Sequence, residues 1–411
     1  MQQDQLIPHL YRTEYRKIIA VLARLFGFEH IQIAEDIASD TFLLASETWG
    51  KTRLPDNPAA WLYTVAKNKA KDYLKHNAIF NEKVAVQIKN ARQQTEDVEI
   101  DLSEENINDS QLQMMFAICQ PLIPAEAQIG LALRILCGFG IDEIADAFLS
   151  NKETINKRLF RAKEKLREQN VKIEFPDSKE INKRLDTVLL TLYLLFNEGY
   201  YSSSGNTNLR RELCLEAMRL NYLLIQNHAT DLPIVNALFS LMCFHASRFD
   251  ARMDKDGEII LYDEQDSSLW NDELISRGTY YLVRGAKGPQ LTRYHIEATI
   301  AYWHTQKQDS PEKWGNVLQL YNKLLILEYS PMAALNRTYA LAKARGKAEA
   351  IIEAEKLTQL ADNHLYHSLL AHLYTGIDQQ KALQHLQTAL KLTKNQAEKN
   401  RIKKNIEELK N

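Results

Sequence analysis

The spacing of apolar residues constrains this chain more than any other feature. Apolar side chains recur every three or four residues almost throughout, as in Ile18, Ile19, Leu22, Leu25 and Phe26, and no stretch alternates like a half-buried strand. Only 14 glycines and 10 prolines occur in 411 residues, so helix-breaking positions are few. The sequence therefore predicts an all-α protein.

Changes of composition along the chain predict its domains. Three helices are expected within residues 6–78, the third with Asn57 as N-cap and Pro58 as its first residue. Residues 81–110 hold three basic and eight acidic side chains, which is typical of an acidic flexible linker. We expect a helical domain at 1–80, the linker at 81–110, a helix-turn-helix domain at 111–170 and an all-helical C-terminal domain at 171–411.

The C-terminal part shows a weak internal repeat. Ala350 and Ala382 each follow a turn that contains glycine, at nearly the spacing of tetratricopeptide repeats. Small residues and turns recur, although the full consensus does not. Helix pairs similar to these repeats are therefore expected toward the C-terminus.

Charge and cysteine usage narrow the classes of protein. The formal net charge is −2, which argues against a basic nucleic-acid binder only if charge is spread evenly along the chain. No apolar run is long enough to span a membrane and no signal peptide is visible, so a cytoplasmic protein without membrane contact is expected. The four cysteines stand in apolar helical stretches without CxxC spacing, which predicts free buried thiols at Cys119, Cys137, Cys214 and Cys243.

The most specific local pattern is a helix-turn-helix candidate. Ser150 followed by Glu153 has the form of a capping box, which predicts that the second helix of the pair begins there. The buried face is expected to comprise Ile144, Ala145, Phe148 and Leu149 of the first helix and Ile155, Leu159 and Phe160 of the second.

The second helix of this pair is strongly basic. Residues 150–168 hold seven basic and three acidic side chains within a nearly neutral chain. Its outward face is expected to carry Lys152, Asn156, Lys157, Arg158, Arg161, Lys163, Lys165 and Arg167. A solvated basic face is the alternative, but the turn, the cap and the charge together favour a recognition helix in the major groove of DNA.

Two other helices carry charge of opposite sign. Glu35, Asp36 and Asp40 are expected on one exposed side of the second helix, where they either favour the helix dipole or dock a basic partner. Lys67, Asn68, Lys71 and Lys75 are expected on the polar side of the third helix, opposite a side that includes Trp61. Trp61 is interpreted as a core residue rather than a platform for a DNA base.

Enzyme, cofactor and metal patterns are not found. The segment DKDGE at 254–258 is similar to a calcium loop, but Arg252 occupies the first ligand position and no glutamate follows at the required distance. His364, His367 and His372 lack a cysteine or acidic ligand at metal spacing. No P-loop, dinucleotide fingerprint or nucleophile elbow is present, so neither an enzyme nor a bound cofactor or metal is predicted.

Taken in order, these segments resemble a known family. AEDIASDTF, NPAAWLYTVAKNKAKDYLKH and CGFGIDEIADAFLSNKETINKRLFRAKEKLRE are similar to regions 2 and 4 of bacterial sigma factors of the extracytoplasmic-function type. RLDTVLLTLYLLFNEGYYSSSG, RRELCLEAMRL and SPMAALNRTYAL resemble the C-terminal extension of a subgroup that carries tetratricopeptide-like repeats. In this sequence Ser39 stands where many relatives have glutamine, and Gly140 replaces the usual Ser or Thr cap.

The resemblance implies a function for each charged face. It assigns Glu35, Asp36, Ser39, Asp40 and Phe42 to docking on the β′ clamp helices of core RNA polymerase, with the β flap as a second contact. It implies that Lys67, Asn68, Lys71 and Lys75, with the loop at 50–57, hold the melted −10 strand. Reading of the −35 element is implied for Lys152, Asn156, Lys157, Arg158, Arg161 and Lys165.

The expected function is therefore a sigma factor that binds core RNA polymerase and promoter DNA. Its C-terminal extension is expected to regulate activity and to bind a regulatory protein. The alternatives are a one-component helix-turn-helix regulator with a helical sensing domain and a repeat scaffold with an incidental basic helix. In the sigma-factor interpretation, an extended linker of thirty residues lets two DNA-binding modules reach separated promoter elements.

Overall fold

The computed structural model describes residues 3–49, 54–85, 99–201, 207–252, 260, 262–393 and 396–410. Every regular element in these ranges is helical, which confirms the all-α prediction. The chain forms two compact units, Met1–Glu198 (unit 1) and Gly199–Asn411 (unit 2).

Unit 1 consists of helices that range from 7 to 28 residues in length. Its helices are α1 (Gln3–Phe26), α2 (Ile31–Trp49), α3 (Pro58–Ala85), α4 (Glu104–Ile118), α5 (Ala125–Leu131), α6 (Ile141–Ala147), α7 (Lys152–Glu168) and the part of α8 (Ser178–Tyr201) that precedes Gly199. A π-helical turn, Ala132–Leu136, continues α5. The centre of α1 lies in the core, with Ile18, Ile19 and Leu22 fully buried.

Local sequence explains where several of these helices begin. Asn57 Oδ1 accepts a hydrogen bond from the backbone of Ala60 at 3.0 Å and Pro58 opens α3, as predicted. Gly140 caps α6, and the Glu143 carboxylate accepts a bond from its backbone N–H at 2.7 Å. The prediction for α7 is wrong by one residue, because its N-cap is Asn151 rather than Ser150.

The predicted linker at 81–110 is too long at both ends. Helix α3 continues to Ala85, and α4 begins at Glu104 because Ser103 accepts a side-chain cap bond from Asn106. Acidic residues in the first turn of α4 favour its dipole, so the charge that indicated a linker also suits a helix start. Ile100 and Leu102 are buried as well. Residues 86–98 lie outside the described part.

The boundary between the units lies later than the predicted one at 170/171. Helix α8 buries Leu185, Val188, Leu189 and Leu192 in unit 1, and Thr191 donates a 2.8 Å hydrogen bond to Gln128. The helix continues through Gly199 to Tyr201. Helix α8 up to Glu198 thus belongs to the N-terminal unit.

Most helices of unit 2 pack on their neighbours in sequence. After the end of α8 follow α9 (Thr207–Gln226), α10 (Pro233–Ala246), α11 (Phe249–Arg252), α12 (Asp272–Gly285), α13 (Arg293–His304), α14 (Pro311–Leu327), α15 (Pro331–Arg345), α16 (Lys347–Glu355), α17 (His364–Tyr374), α18 (Gln379–Leu392) and α19 (Gln396–Lys410). Helix α10 is buried along nearly its whole length and contacts α9, α12 and α13.

The four cysteines are free and buried, as predicted.

The last helices of unit 2 pair as antiparallel neighbours. Helix α15 packs on α14 and α16, and α17 packs on α18. Gly346 and Gly376 turn the chain between them with φ of 103° and 84°, a region that favours glycine. Ala350 and Ala382 are completely buried where the helices approach each other. The helices thus pack in pairs along the chain, and their likeness to tetratricopeptide repeats stays a prediction.

The contact between α10 and α12 leads to a stability prediction. A Cβ atom at Gly278 would lie 2.7 Å from the ring of Phe244, which is fully buried and cannot move away. We expect Gly278→Ala to destabilise unit 2 by about 1–3 kcal/mol, because overpacking outweighs the gain in helix propensity. Gly315→Ala in α14 is the matched control, since no atom lies within 4 Å of its added methyl group.

Urea unfolding of both variants measures the difference. The control should unfold at an equal or higher urea concentration than the unmodified chain, by about 0.5–1 kcal/mol in stability. Equal stability of the two variants would show that α10 and α12 are not packed this closely.

Candidate nucleic-acid interface

Three of the predicted polymerase-docking residues form an exposed acidic face on α2. Asp36, Ser39 and Asp40 are exposed, and Gln32 donates a 3.3 Å hydrogen bond to Asp36. Lys69 of α3 lies 3.3 Å from the Asp40 carboxylate, a partner the sequence did not indicate. Both side chains of this pair remain substantially open to solvent, so the attraction is weak and Asp40 stays available to a partner.

The prediction that Glu35 belongs to this exposed face is wrong. Glu35 is 5% exposed, and its carboxylate accepts a 2.6 Å hydrogen bond from Lys163 of α7. Arg134 of the π-helical turn is 4.0 Å away. Glu35 lies on the same side of α2 as the buried residues Ile31, Ala34, Ala38 and Ala45, a spacing that the sequence already contained.

Phe42 is also buried, so it is not available for direct docking in this arrangement. Its exposed fraction is 4%, and its ring centre lies 5.1 Å from that of Tyr11 in an edge-to-face contact. Tyr15 is the third ring of this cluster, at 6.2 Å. The residue stands seven positions after Glu35, two helical turns along the same buried side.

Helix α3 presents a mixed polar face. Asn68 and Lys75 are exposed, while Lys67 and Lys71 are half-buried, and Leu62, Ala66 and Ala70 are buried on the opposite side. The polar side therefore matches the predicted residues. Residues 50–53 of the predicted DNA-binding loop lie outside the described part of the chain.

Trp61 packs as the sequence predicts. Its ring meets that of Trp49 at 5.3 Å with an edge-to-face geometry, and the residue is half-buried. The contact joins the start of α3 to the end of α2. A core role for Trp61 thus agrees with the observed packing.

Helices α6 and α7 are consecutive and in contact at the position where the sequence predicts the helix-turn-helix pair. They are joined by a tight turn in which Leu149 has a φ of 47° and is 66% exposed. Ile155, Leu159, Ala162 and Leu166 form the buried side of α7. The predictions that Leu149 and Phe160 are buried are wrong. Phe160 is 64% exposed because its position is rotated by about 100° around the helix axis from that of the buried Leu159.

The basic side chains of α7 differ in their availability. Lys152 pairs with Asp142 at 2.5 Å, Lys157 with Glu153 at 2.5 Å, and Arg158 with Glu126 at 3.1 Å. Arg158 also lies over the Phe148 ring, which makes it part of the packing of this domain. The prediction of an outward-facing Lys163 is wrong, since it pairs with Glu35 and its side chain is only 15% exposed.

Asn156, Arg161 and Lys165 are further accessible polar positions of α7. All three are exposed in the structure. A groove of about 440 Å³ lies between the start of α5 and this helix, and its walls include Ile123, Ala127 and Arg161. The arrangement offers cations to a phosphate backbone along one side of the helix.

Unit 2 adds polar contacts that the sequence did not predict. Lys313 is 2% exposed, and its ammonium donates to the Tyr262 hydroxyl at 2.7 Å and to the Gln306 carbonyl at 2.9 Å. His304 packs edge-on against Tyr262, and burial lowers its pKa to about 3. The two hydrogen bonds of Lys313 join the start of α14 to Tyr262 and to Gln306.

The histidines near the C-terminus contact partners distant in sequence. His364 lies 3.0 Å from Glu398, and the Nδ1 atoms of His367 and His385 are 3.0 Å apart. No group of three or more metal-ligating side chains comes together within the described ranges. The DKDGE segment at 254–258 lies outside the described residues. Within that part of the chain, no helix has the length and apolar character needed to cross a bilayer.

Two family models match parts of the chain. Residues 10–78, which span most of α1, α2 and most of α3, match sigma-70 region 2. Residues 184–286 match a family of unknown function, DUF6596, and this segment runs from α8 to α12. The first match supports a sigma-factor-like role in transcription initiation, with core RNA polymerase and promoter DNA as partners. It does not extend to the helix-turn-helix pair.

A curated relative extends over most of the chain. The uncharacterized protein R00370 of Rhizobium meliloti (strain 1021) is 30% identical over 354 residues, which cover 85% of this chain and 82% of that protein. No solved structure matches the chain. The chain therefore belongs to the same family as the Rhizobium meliloti protein, and its N-terminal helices form a sigma-70 region 2 domain.

Proposed function

We propose that the chain is a sigma factor of the extracytoplasmic-function type that directs core RNA polymerase to specific promoters. The match of residues 10–78 to sigma-70 region 2 is the observation that carries the proposal. The charge distribution of the three N-terminal helices supports it. An acidic face on α2 stands beside a basic face on α3, as expected where one helix meets a protein and its neighbour meets DNA.

Each face has a specific task in this proposal. Asp36, Ser39 and Asp40 dock on the β′ clamp helices of the polymerase, and the buried Phe42 supports that helix from behind. Lys67, Asn68, Lys71 and Lys75 hold the separated −10 strand. Contacts to phosphates position the protein and are sensitive to salt, whereas contacts to bases give specificity.

Helix α7 is proposed to read the −35 element. Asn156, Arg161 and Lys165 are exposed along it, and Lys152, Lys157 and Arg158 can exchange their present acidic partners for phosphates. The β flap of the polymerase is the expected protein contact of this helix-turn-helix domain. The weak −2 charge of the whole chain suits a protein that binds promoters together with the polymerase rather than alone.

Unit 2 is proposed to modulate this activity through its tetratricopeptide-like helices. It comprises more than half of the chain, and its successive helix pairs resemble scaffolds that bind other proteins. A regulatory protein bound by these repeats is the proposed partner.

Run-off transcription with purified core polymerase tests the proposal. Only a sigma factor makes specific initiation depend on its own addition, whereas a one-component regulator binds operator DNA without this effect and a repeat scaffold does neither. We expect specific transcripts with the full chain and an altered yield with a chain truncated after Tyr201. Truncation near residue 175 is less informative, because it removes the part of α8 that is buried in unit 1.

The yields of the two chains separate the two parts of the proposal. No transcript from the full chain contradicts the sigma-factor assignment. Circular dichroism first shows that unit 1 of the truncated chain is folded. If this chain then gives the same transcript yield and the same regulation as the full chain, the role proposed for unit 2 is contradicted.

Charge reversal on α2 tests polymerase docking. We expect Asp36→Lys with Asp40→Lys to weaken binding to core polymerase at least about tenfold, since both carboxylates are exposed and like charges at an interface repel. The matched control is Glu407→Lys with Glu408→Lys on α19, which makes the same charge change at two exposed positions of unit 2. A polymerase pull-down at full strength with the α2 variant refutes the docking face.

Replacement of one exposed arginine tests the DNA contact of α7. We expect Arg161→Ala to weaken promoter binding by the polymerase complex about 5–10-fold, and to reduce the salt slope by about one if the arginine contacts a phosphate. Arg158 is less suitable, because it also packs on Phe148. Lys403→Ala on α19 is the control, and equal affinities of the two variants in a filter-binding titration contradict the assignment.

A further inference from the structure

We propose that unit 2 holds a binding site for a small oxyanion, a phosphate or a carboxylate, at a group of buried cations and N–H donors around Tyr262. The group comprises Tyr262, Arg248, Trp270, His304 and Lys313, and we call it the Tyr262 cluster. All five residues belong to unit 2. The inference goes beyond the proposed function, because it depends on neither polymerase nor promoter DNA.

Five separate positions of the chain meet at one aromatic ring. Tyr262 begins a short 3-10 turn, and Arg248, between α10 and α11, has its guanidinium carbon 5.4 Å from the centre of the Tyr262 ring. The rings of Trp270 and His304 lie 6.3 Å and 4.9 Å from that ring. Lys313, in the first turn of α14, donates to the Tyr262 hydroxyl at 2.7 Å. The cluster thus combines two cations with three aromatic rings.

Arg248 is a buried guanidinium without a carboxylate partner in the ranges that the structure describes. It is 7% exposed, and one of its Nη atoms donates to the Tyr200 hydroxyl at 3.4 Å, while its Nε atom has no hydrogen-bond partner within those ranges. A buried charge is costly unless it is paired, and the contact with the Tyr262 ring offsets only part of that cost. Since a guanidinium binds carboxylates and phosphates through two parallel N–H bonds, an oxyanion supplies the missing partner.

Two more nitrogens of the cluster are buried without a partner. Trp270 is 7% exposed, and its indole Nε1–H, which can only donate, has no acceptor among the described residues. The Nδ1 atom of His304 is also out of contact with solvent and lacks a partner in the described part of the chain. Buried polar atoms in folded proteins are nearly always hydrogen-bonded, so three such nitrogens beside one ring indicate a ligand.

Two acidic residues lie near the cluster, and lysines already pair with both. The Asp309 carboxylate lies 2.9 Å from the Lys343 ammonium and 3.9 Å from that of Lys313. The Asp263 carboxylate lies 3.6 Å from Lys343. The two carboxylates thus balance the two lysines. Among the residues that the structure describes, the charge of Arg248 remains in excess.

Two histidines beside these cations reflect the positive potential. Burial lowers the pKa of His304 to about 3, with Arg248 and Lys313 contributing to the shift. Burial also lowers the pKa of His245, and Arg248 and Arg252 add to that effect. Both imidazoles are therefore neutral at pH 7, so the cluster carries its positive charge on arginine and lysine side chains.

The Tyr262 cluster is accessible at one edge. Tyr262 and His304 are half-buried, whereas Arg248, Trp270 and Lys313 are buried, so a small ion can approach past the two half-buried rings. Guanidinium, ammonium and indole N–H groups donate hydrogen bonds and accept none. An oxyanion only accepts hydrogen bonds, so it fits this set of donors better than a neutral polar molecule does.

Calorimetric titration of the full chain tests the proposal. Inorganic phosphate, sulfate and acetate are the probes, each in about 0.1 M sodium chloride, which screens weak binding to surface charges. We expect saturable binding of at least one probe with a Kd of about 1 mM or below. A stronger response to phosphate than to acetate, or the reverse, identifies the class of oxyanion. Absence of saturable binding for all three probes overturns the proposal.

Arg248→Met locates the binding, because it removes the charge and keeps much of the side-chain volume. We expect it to weaken binding of the probe at least about tenfold, as for the loss of a charge-assisted hydrogen bond. Arg345→Met on α15 is the matched control, since that arginine is exposed and pairs with Glu349. Arg161→Ala on α7 tests whether the probe binds the basic helix instead. Full-strength binding by a folded Arg248→Met chain, or an equal loss in either control, overturns the proposal.

Trp270→Phe is the second variant, because it retains an aromatic ring and removes the indole N–H. We expect about threefold weaker binding of the probe, the usual effect of one neutral hydrogen bond. Circular dichroism shows whether each variant is folded. If Arg248→Met does not fold, Trp270→Phe decides, and its binding at full strength overturns the proposal.

Discussion

The carboxylate of Glu35 is buried in unit 1. The packing of unit 1 depends on which cations neutralise this carboxylate. An ionised carboxylate in the interior is costly unless cations and hydrogen bonds compensate it. Lys163 and Arg134 supply that compensation from the second half of the unit. The N-terminal helices must therefore stand beside α7 and the π-helical turn, and unit 1 becomes one compact body instead of two modules on a linker.

This packing gives α2 two distinct sides. The exposed side carries Asp36 and Asp40, which remain open to a basic partner, and the buried side carries Glu35 and Phe42. The net charge of −2 is thus a sum of separate local charges: acid on α2, acid at the start of α4 and base along α7. Ion pairs within unit 1 also neutralise part of that basic helix.

Much of the local structure could be predicted because its causes are local. The cap at Asn57, the cap at Gly140 and the buried cysteines follow from a few neighbouring residues. The predicted start of α7 and the predicted end of the linker were wrong because the residues there fit two different local structures. Ser150 and Asn151 are both good caps, and only the turn at Leu149 decided between them. The acidic side chains in residues 104–110 fit a linker and a helix start equally well. The side-chain cap at Ser103 shows that a helix begins there.

The sequence by itself determined that the chain is helical, where most helices lie, and which of them carry acid or base, because spacing and composition act over one or two turns. It also carried the resemblance to sigma factors, of which region 2 is matched. Only the tertiary structure decided which charges face solvent and which face each other. Glu35 and Lys163 meet across 128 positions, and no local rule can show a contact at that separation. The physical reason is that the partner of a buried charge depends on the helix packed against it, which the residues around the charge do not specify.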